Sequence, residues 1–364
     1  MWVLRREFIR SGGKPEGQLE REIPLDAFAP QSLGLFHADT SQIMYDLLII
    51  GAGPAGLSCA IEAKKEGLKY TILEKGNVVN SICNFPTEMV FFSTPELLEI
   101  GGVPFVVSNF RPKRIEALNY YQRVVDHYRL FIRPFVRVEA VRKVVDHFQV
   151  RTSSNGSLRT RNVAIATGYY DNPKHLGVKG EDLPKVLHYF KEPYPYHGCD
   201  VAVIGGKNSA VETALALHRH GARVTLIHRG RGLNRGVKYW ILPDIENRIK
   251  EGSIQAYFES HVRDIREDSI VIVDKRLRVR ALKKNDFVFV QIGYRPNVDL
   301  LQATGVKVEK RSLVPKHNPR TMATNVKGVY LAGSIAAGME NNKIFIENGR
   351  LHGGLIVKSI LSNR

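Results

Sequence analysis

The sequence predicts an α/β fold built from two Rossmann-like dinucleotide-binding units, the second inserted into a discontinuous first. Three observations carry this. A strand–glycine turn–helix–strand pattern spans Met44–Glu74. The same layout recurs over Val201–His228, and in both units the residue closing the second strand lies 23 positions after the first turn glycine, Gly51 to Glu74 and Gly205 to His228. A further apolar strand, Gly328–Gly333, follows the second unit at a distance, where it would complete the first sheet.

Residues 1–43 are polar, rich in Gly, Pro and charge, and without sustained periodicity. They are expected to be a poorly ordered, dispensable extension or an artefact of start-site choice, because Met44 directly precedes the first strand. Arg5-Arg6-Glu7-Phe8-Ile9 resembles a twin-arginine signal. Ser11–Gly17 stands where the apolar segment of such a signal belongs, so export is not expected. Tyr45–Ile50 is an apolar run of the length of a strand buried on both faces. Gly51-Ala52-Gly53-Pro54-Ala55-Gly56 then fits G-x-G-x-x-G. Gly51 permits the tight turn, Gly53 lets the backbone close on a pyrophosphate, and Gly56 lets helix and strand pack. Leu57–Glu66 reads as the helix, whose free N–H groups face the phosphates. Tyr70–Leu73 is the next strand, and Glu74 stands where an acid bonds a ribose hydroxyl.

Lys75–Phe110 is loop-like, notably Asn80–Thr87 and Phe91–Pro95. A long loop after a nucleotide-binding unit is expected to carry function. Lys113–Tyr128, with apolar Ile115, Leu118, Val124 and Val125, predicts an amphipathic helix. Strands are expected in Phe131–Ala140 and Phe148–Thr152, a turn at Asn155-Gly156, and a strand over Asn162–Gly168. The last ends in Ala-Thr-Gly, a tripeptide that closes flavin domains where the chain crosses into the next domain.

Val201–Ile204 opens the second unit. Gly205–Ala210 is its turn, Val211–His220 its helix and Val224–His228 its second strand. This strand ends in His228-Arg229, with Arg231, Arg235 and Lys238 close behind. A carboxylate here would repel a 2′-phosphate, whereas arginines bind it bidentately, so NADPH is expected over NADH. Lys207 occupies the position of the second fingerprint glycine. Two readings stand: its side chain points away from a slightly wider turn, or its ammonium neutralises the pyrophosphate. Ser253–Asp286 reads as short strands with charged turns. Phe287–Gly293 reads as a buried strand, after which the chain crosses back through Tyr294–Asn297. After Gly328–Gly333, Ser334–Gly338 opens a turn and helix that Phe345–Gly354 continues, and the ribityl chain and pyrimidine end of a flavin would sit against its start.

Composition narrows the classes. A chain of 364 residues implies two or three domains. No apolar run is long enough to span a membrane. Cys59, Cys83 and Cys199 form no C-x-x-C and no metal-ligand spacing, which suits a reducing cytoplasm and implies no metal. The formal net charge is +17, but the basic residues are spread along the chain rather than clustered with aromatics. Nucleic acid is therefore not the expected partner. A surface that steers NADPH or an acidic redox protein fits better.

Several longer strings carry a resemblance. They are Asn84–Gly101, His188–Lys191, Val203–Ala210, Lys238–Pro243 and Ile344–Arg350. From Met44 onward the chain resembles the low-molecular-weight thioredoxin-reductase fold, and within it the bacillithiol-disulfide (bacilliredoxin) reductases of the YpdA type. The resemblance implies a FAD domain at 44–170, an NADPH domain at 171–293 and the rest of the FAD domain at 294–364, in a homodimer or larger. It implies hydride transfer from NADPH to FAD, then electron transfer to a low-molecular-weight disulfide or a bacilliredoxin-like protein. Carried over residue by residue, the FAD contacts are Gly51, Gly53, Pro54, Ala55, Gly56, Glu74, Lys75, Thr167, Gly168, Gly333 and Ser334. The NADPH contacts are Gly205, Lys207, Asn208, Ser209, Ala210, His228, Arg229, Arg231 and Gly293.

Two departures stand out. Where thioredoxin reductases carry C-x-x-C, His188–Cys199 offers Cys199 alone. Where the bacilliredoxin branch often carries a cysteine in the first turn, this chain has Ala55. Thiolates attack disulfide sulfur directly, so the disulfide step is left with Cys83, in the loop after Glu74, as a candidate redox residue beside its plainer reading as a loop cysteine. Three alternatives stay open. One is a flavin monooxygenase, which His188 and Tyr194 match loosely and Leu183-Pro184-Lys185 matches poorly. Another is a ferredoxin- or flavodoxin-NADP reductase, and the third a non-catalytic flavin redox sensor.

Overall fold

A computed structural model of the chain describes residues 43–154, 156–340 and 343–363. The expected extension therefore lies, except for Ile43, outside the described residues, as does Asn155 of the expected turn. β1 (Met44–Ile50) leads through α1 (Pro54–Lys65) to β2 (Tyr70–Leu73), parallel to it with Leu47 opposite Tyr70 and Ile50 opposite Leu73. Leu47, Leu48 and Ile49 expose no surface and all of β2 is buried. Both faces of the sheet are covered, which is why these strands are unbroken apolar runs.

The long loop is interrupted by two single turns, α2 (Asn80–Cys83) and α3 (Pro95–Leu98), and followed by α4 (Arg114–Tyr128). The buried face of α4 differs from the expected one. Ile115 is 53% exposed, while Ala117, Tyr120, Tyr121 and Val124 face inward. The tyrosines can be buried because their hydroxyls reach main-chain acceptors: Tyr121 donates to Leu98 C=O at 2.9 Å and Tyr120 to Val103 C=O at 2.8 Å. The expected strand region Phe131–Ala140 holds β3 (Ile132–Arg133) and the start of β4 (Val138–Lys143), separated where Phe135 turns left-handed (φ 58°).

β5 (Phe148–Thr152) and β6 (Ser157–Ile165) complete an antiparallel run with β4, so the sheet has the order β3-β2-β1-β6-β5-β4. The second half of β6, Val163–Ile165, leaves β5 and pairs in parallel with a strand that comes from the far end of the chain. Its burial changes at the same place, from alternating to continuous.

Between these halves lies the second sheet. Its strands are β7 (Val186–Leu187), β8 (Asp200–Ile204), β9 (Arg223–Ile227), β10 (Gln255–Tyr257) and a later fifth strand, with α5 (Asn208–Arg219) joining β8 to β9 and α6 (Leu242–Lys250) preceding β10. A three-stranded antiparallel sheet, β11 (Ser260–Ile265), β12 (Ser269–Asp274) and β13 (Val279–Lys284), precedes β14 (Phe287–Val290). The five-stranded sheet is all parallel, in the order β10-β9-β8-β14-β7. After α7 (Asp299–Ala303), β15 (Val329–Leu331) returns to β6, so one sheet is interrupted in sequence by the other.

The continuous helix expected after Ser334 is three pieces. A 3-10 turn (Gly333–Ala337) ends at Gly338, whose φ is 57°; α8 (Ile346–Gly349) and α9 (His352–Ser362) follow. α9 lies tightly on α1: a Cβ on Gly353 would stand 2.6 Å from the Ser58 carbonyl carbon. No helix among the described residues is long and apolar enough to cross a membrane.

Candidate active site

β1 ends in the first glycine turn. Gly51 has φ 109°, and a Cβ there would stand 2.6 Å from the Ala166 carbonyl oxygen, so only glycine fits. Gly53 is different. Its backbone is extended (φ −71°, ψ 172°) and a Cβ there would meet nothing within 4 Å. Its bareness therefore serves no packing need of the protein and leaves room in front of the turn. No side chain caps α1, and its first main-chain bond runs from Leu57 N–H to Gly53 C=O at 2.9 Å. The N–H groups of Ala55 and Gly56 thus have no intrahelical acceptor and suit an anion. Glu74, 6% exposed, accepts from Ala52 N–H at 2.7 Å and from Gly76 N–H at 2.8 Å. Burial raises its pKa, and the two donors oppose the rise. Each carboxylate oxygen retains a lone pair for a hydroxyl donor. This cradle of open backbone, free N–H groups and one acid fits the pyrophosphate and ribose of FAD.

The second turn repeats the plan with other residues. Gly205 has φ 150°, and Ala210 stands where the third glycine would. Lys207 is extended (φ −111°, ψ −173°) like Gly53, which explains why a side chain is tolerated there. Lys207 is exposed, and α5 likewise lacks a side-chain cap. Where Glu74 holds Ala52, the His228 ring covers Gly206: its Cγ lies 2.6 Å from where a Cβ would begin. Burial first, and then Arg229, lowers the pKa of His228. Asn208 accepts from Lys238 N–H at 2.7 Å and so ties the basic loop to the helix start.

Both turns open on one continuous cleft of 2810 Å³, well above the about 300–1,000 Å³ of a pocket for one drug-sized ligand. From the first unit it is lined by Gly51, Gly53, Pro54, Ala55, Glu74, Lys75, Thr167, Gly168, Gly333 and Ser334. From the second come Gly205, Lys207, Asn208, Ser209, His228, Arg229 and Gly293. Gly56, Ala210 and Arg231 are not on its wall. Gly56 packs under the turn, where a Cβ would strike Gly51, and Ala210 is buried. Arg231 is ion-paired with Glu259 at 3.7 Å.

The cleft also contains residues that sequence reasoning missed. Lys174 lines it, and its pKa is lowered by burial, then by Lys207 and Arg229. Three cations thus share this end of the cleft. Asp171 pairs with Lys75 at 2.7 Å. The two crossing segments pair with each other, Lys174 N–H donating to Gly293 C=O and Arg295 N–H to Asn172 C=O, both at 2.9 Å. Tyr170, Tyr189 and Tyr294 pack beside them, with Tyr170–Tyr294 centroids 4.7 Å apart. No local pattern marks any of these residues, because each depends on where the chain crosses.

The long loop touches the second unit. Thr87 N–H donates to Lys191 C=O at 2.8 Å, Lys191 Nζ to Cys83 C=O at 2.7 Å, and the Arg111 guanidinium lies 4.1 Å from the Trp240 ring centroid. Cys83 contributes its carbonyl to these contacts, but none of the three cysteines lines the cleft. Cys59 is buried against the sheet, and burial pushes its thiol up to about 12, so it stays protonated. Behind Gly333, whose N–H donates to His352 Nδ1 at 3.1 Å, burial lowers the pKa of His352 to about 4.

With this geometry in hand, comparison with known proteins is specific. The family model for pyridine nucleotide-disulphide oxidoreductases matches residues 48–333. The chain is 48% identical over 313 residues to the bacilliredoxin reductase Bdr of Bacillus subtilis (strain 168), covering 86% of this chain and 96% of that protein. It is similar to the structure of bacillithiol disulfide reductase Bdr (YpdA) from Bacillus cereus, with 43% identity and a TM-score of 0.86 over 88% of this chain and all of the other. A ferredoxin–NADP reductase from Ignicoccus hospitalis is 27% identical over 299 residues, 80% of this chain and 90% of that protein.

Proposed function

The chain belongs to the pyridine nucleotide-disulphide oxidoreductase family, and on that footing we propose how its residues divide the work of an NADPH-dependent disulfide reductase. It is a flavin-dependent oxidoreductase with FAD and NADPH as cofactors. When bound, FAD supplies two-electron transfer between nicotinamide and disulfide. In this reading the N–H groups of Ala55 and Gly56 hold its pyrophosphate and Glu74 its ribose. Gly53 admits the approach, and Gly333 and Ser334 hold the ribityl and pyrimidine end. Lys207 and Lys174 neutralise the pyrophosphate of NADPH, and Arg229 binds its 2′-phosphate. The acceptor is a disulfide of a low-molecular-weight thiol or of a small bacilliredoxin-like protein, as the name of the Bacillus subtilis relative supports.

The observation that carries this reading is that both turns face one cleft. No cysteine lines that cleft, so in this reading the acceptor's disulfide itself enters it. Anaerobic mixing of the yellow holoprotein with NADPH or NADH tests the first half. NADPH should bleach the flavin at concentrations at least tenfold lower than NADH. Addition of bacillithiol disulfide or an oxidised bacilliredoxin should then restore the colour. Equal use of both nucleotides, or no recovery with any disulfide, defeats the reading.

The missing cysteine and the net charge of +17 favour a second reading, electron transfer to an acidic redox protein of the ferredoxin kind. Rapid recovery with ferredoxin and none with disulfides would select it.

A further inference from the structure

Beside the cleft, three side chains of one short stretch converge. We propose that His175, Glu181 and His188 form a binding site for a divalent transition-metal ion of the zinc type. His175 Nδ1 lies 3.4 Å and His188 Nε2 3.7 Å from the same oxygen of Glu181, and the three ligand atoms all fall within 4.8 Å of one another. Zinc–ligand bonds of about 2.0–2.2 Å at tetrahedral angles place neighbouring ligand atoms about 3.3–3.6 Å apart, so a small shift of His188 completes three corners. The separations fit shared coordination better than direct hydrogen bonds, which centre near about 2.9 Å.

The surroundings favour a cation over an ion pair. His188 Nε2, the atom that faces Glu181, lies too far from it for a hydrogen bond. Glu181, 7% exposed, is held from behind by Leu176 N–H at 2.8 Å and Gly177 N–H at 2.7 Å, so its position is set before any metal arrives. His175 is 57% exposed, which leaves a path from solvent and a fourth position for water. Two imidazoles and one carboxylate suit zinc and its neighbours better than calcium or magnesium. Such an ion would staple the crossing segment, at His175, to the end of β7, at His188.

The test uses the FAD-loaded full chain, stripped with EDTA, desalted and titrated with Zn²⁺ against a chromogenic zinc chelator. One equivalent should bind, and its affinity should fall at least tenfold in His175→Ala and His188→Ala but not in the control His147→Ala. Zn²⁺ should raise the melting temperature of the wild type and leave that of His175→Ala unchanged. His175 is exposed, so its variant reports on the site even if the His188 variant does not fold. Absence of a stoichiometric site in the wild type, or a His175→Ala affinity within tenfold of it, overturns the proposal.

Discussion

The main-chain N–H of Ala52 donates to Oε2 of Glu74 at 2.7 Å, so the acid that ends the second strand also holds the first glycine turn in shape. Its other oxygen accepts from Gly76 N–H. In Glu74→Ala the buried Ala52 N–H loses its acceptor, at about 1–3 kcal/mol, and the half-buried Gly76 N–H loses its acceptor as well. Chemical denaturation should show a loss of roughly 2–4 kcal/mol, and flavin titration at least a tenfold weaker FAD affinity. Glu74→Gln, which keeps one acceptor, should fall between. Wild-type stability in Glu74→Ala would refute this role.

Gly51 and Gly53 separate folding from binding. Gly51→Ala forces a Cβ to 2.6 Å from the Ala166 carbonyl at a positive φ and should destabilise the protein by more than about 2 kcal/mol. Gly53→Ala meets no protein atom within 4 Å, so the apoprotein should melt within a degree or two of wild type. FAD affinity should nevertheless drop, because the added methyl stands where the pyrophosphate would approach. Unchanged FAD binding in Gly53→Ala would remove the cofactor from that turn.

Arg229 lines the cleft and is exposed, whereas Arg231 is turned to Glu259. A charge-assisted hydrogen bond contributes about 1.5–3 kcal/mol, so Arg229→Ala should raise the KM for NADPH about tenfold or more and leave that for NADH nearly unchanged. Arg231→Ala should alter the NADPH KM less than threefold. Steady-state kinetics with both nucleotides decides it, and equal effects of the two substitutions would disprove the assignment.

His352 makes stability depend on pH. Its folded pKa, about 4, lies below the ordinary histidine value of about 6.5. A depressed folded value means the unfolded chain takes up the proton first, so stability is intact above about pH 6.5 and declines as pH falls toward 4. The loss should be about 2 kcal/mol by pH 5. His352→Gln should flatten this part of the profile in denaturant titrations of the apoprotein. A variant profile parallel to wild type would assign the acid sensitivity elsewhere.

What was legible in the sequence follows from distance along the chain. Gly51, Gly53 and Glu74, and their counterparts Gly205, Lys207 and His228, lie within one strand–turn–helix–strand unit, so local spacing reveals them. The face of α4 was harder to read, since its buried side carries Tyr120 and Tyr121, whose hydroxyls find acceptors only in the loop at Leu98 and Val103. Lys174, Asp171 and the pairing of the two crossing segments had no local signal at all. Their partners, Lys207, Lys75 and Gly293, lie far away in the chain and are brought near only by long-range pairing of the strands.

The sequence by itself determined that two nucleotide-binding units are present, in this order, with a basic residue rather than an acid closing the later one. Tertiary structure alone decided that both turns open on one cleft, that Cys83 stays off its wall, and that Lys174 joins Lys207 and Arg229 there. The physical reason is that turn chemistry is written in neighbouring residues. Shared walls arise from long-range pairings such as β6 with β15, whose geometry no short segment contains.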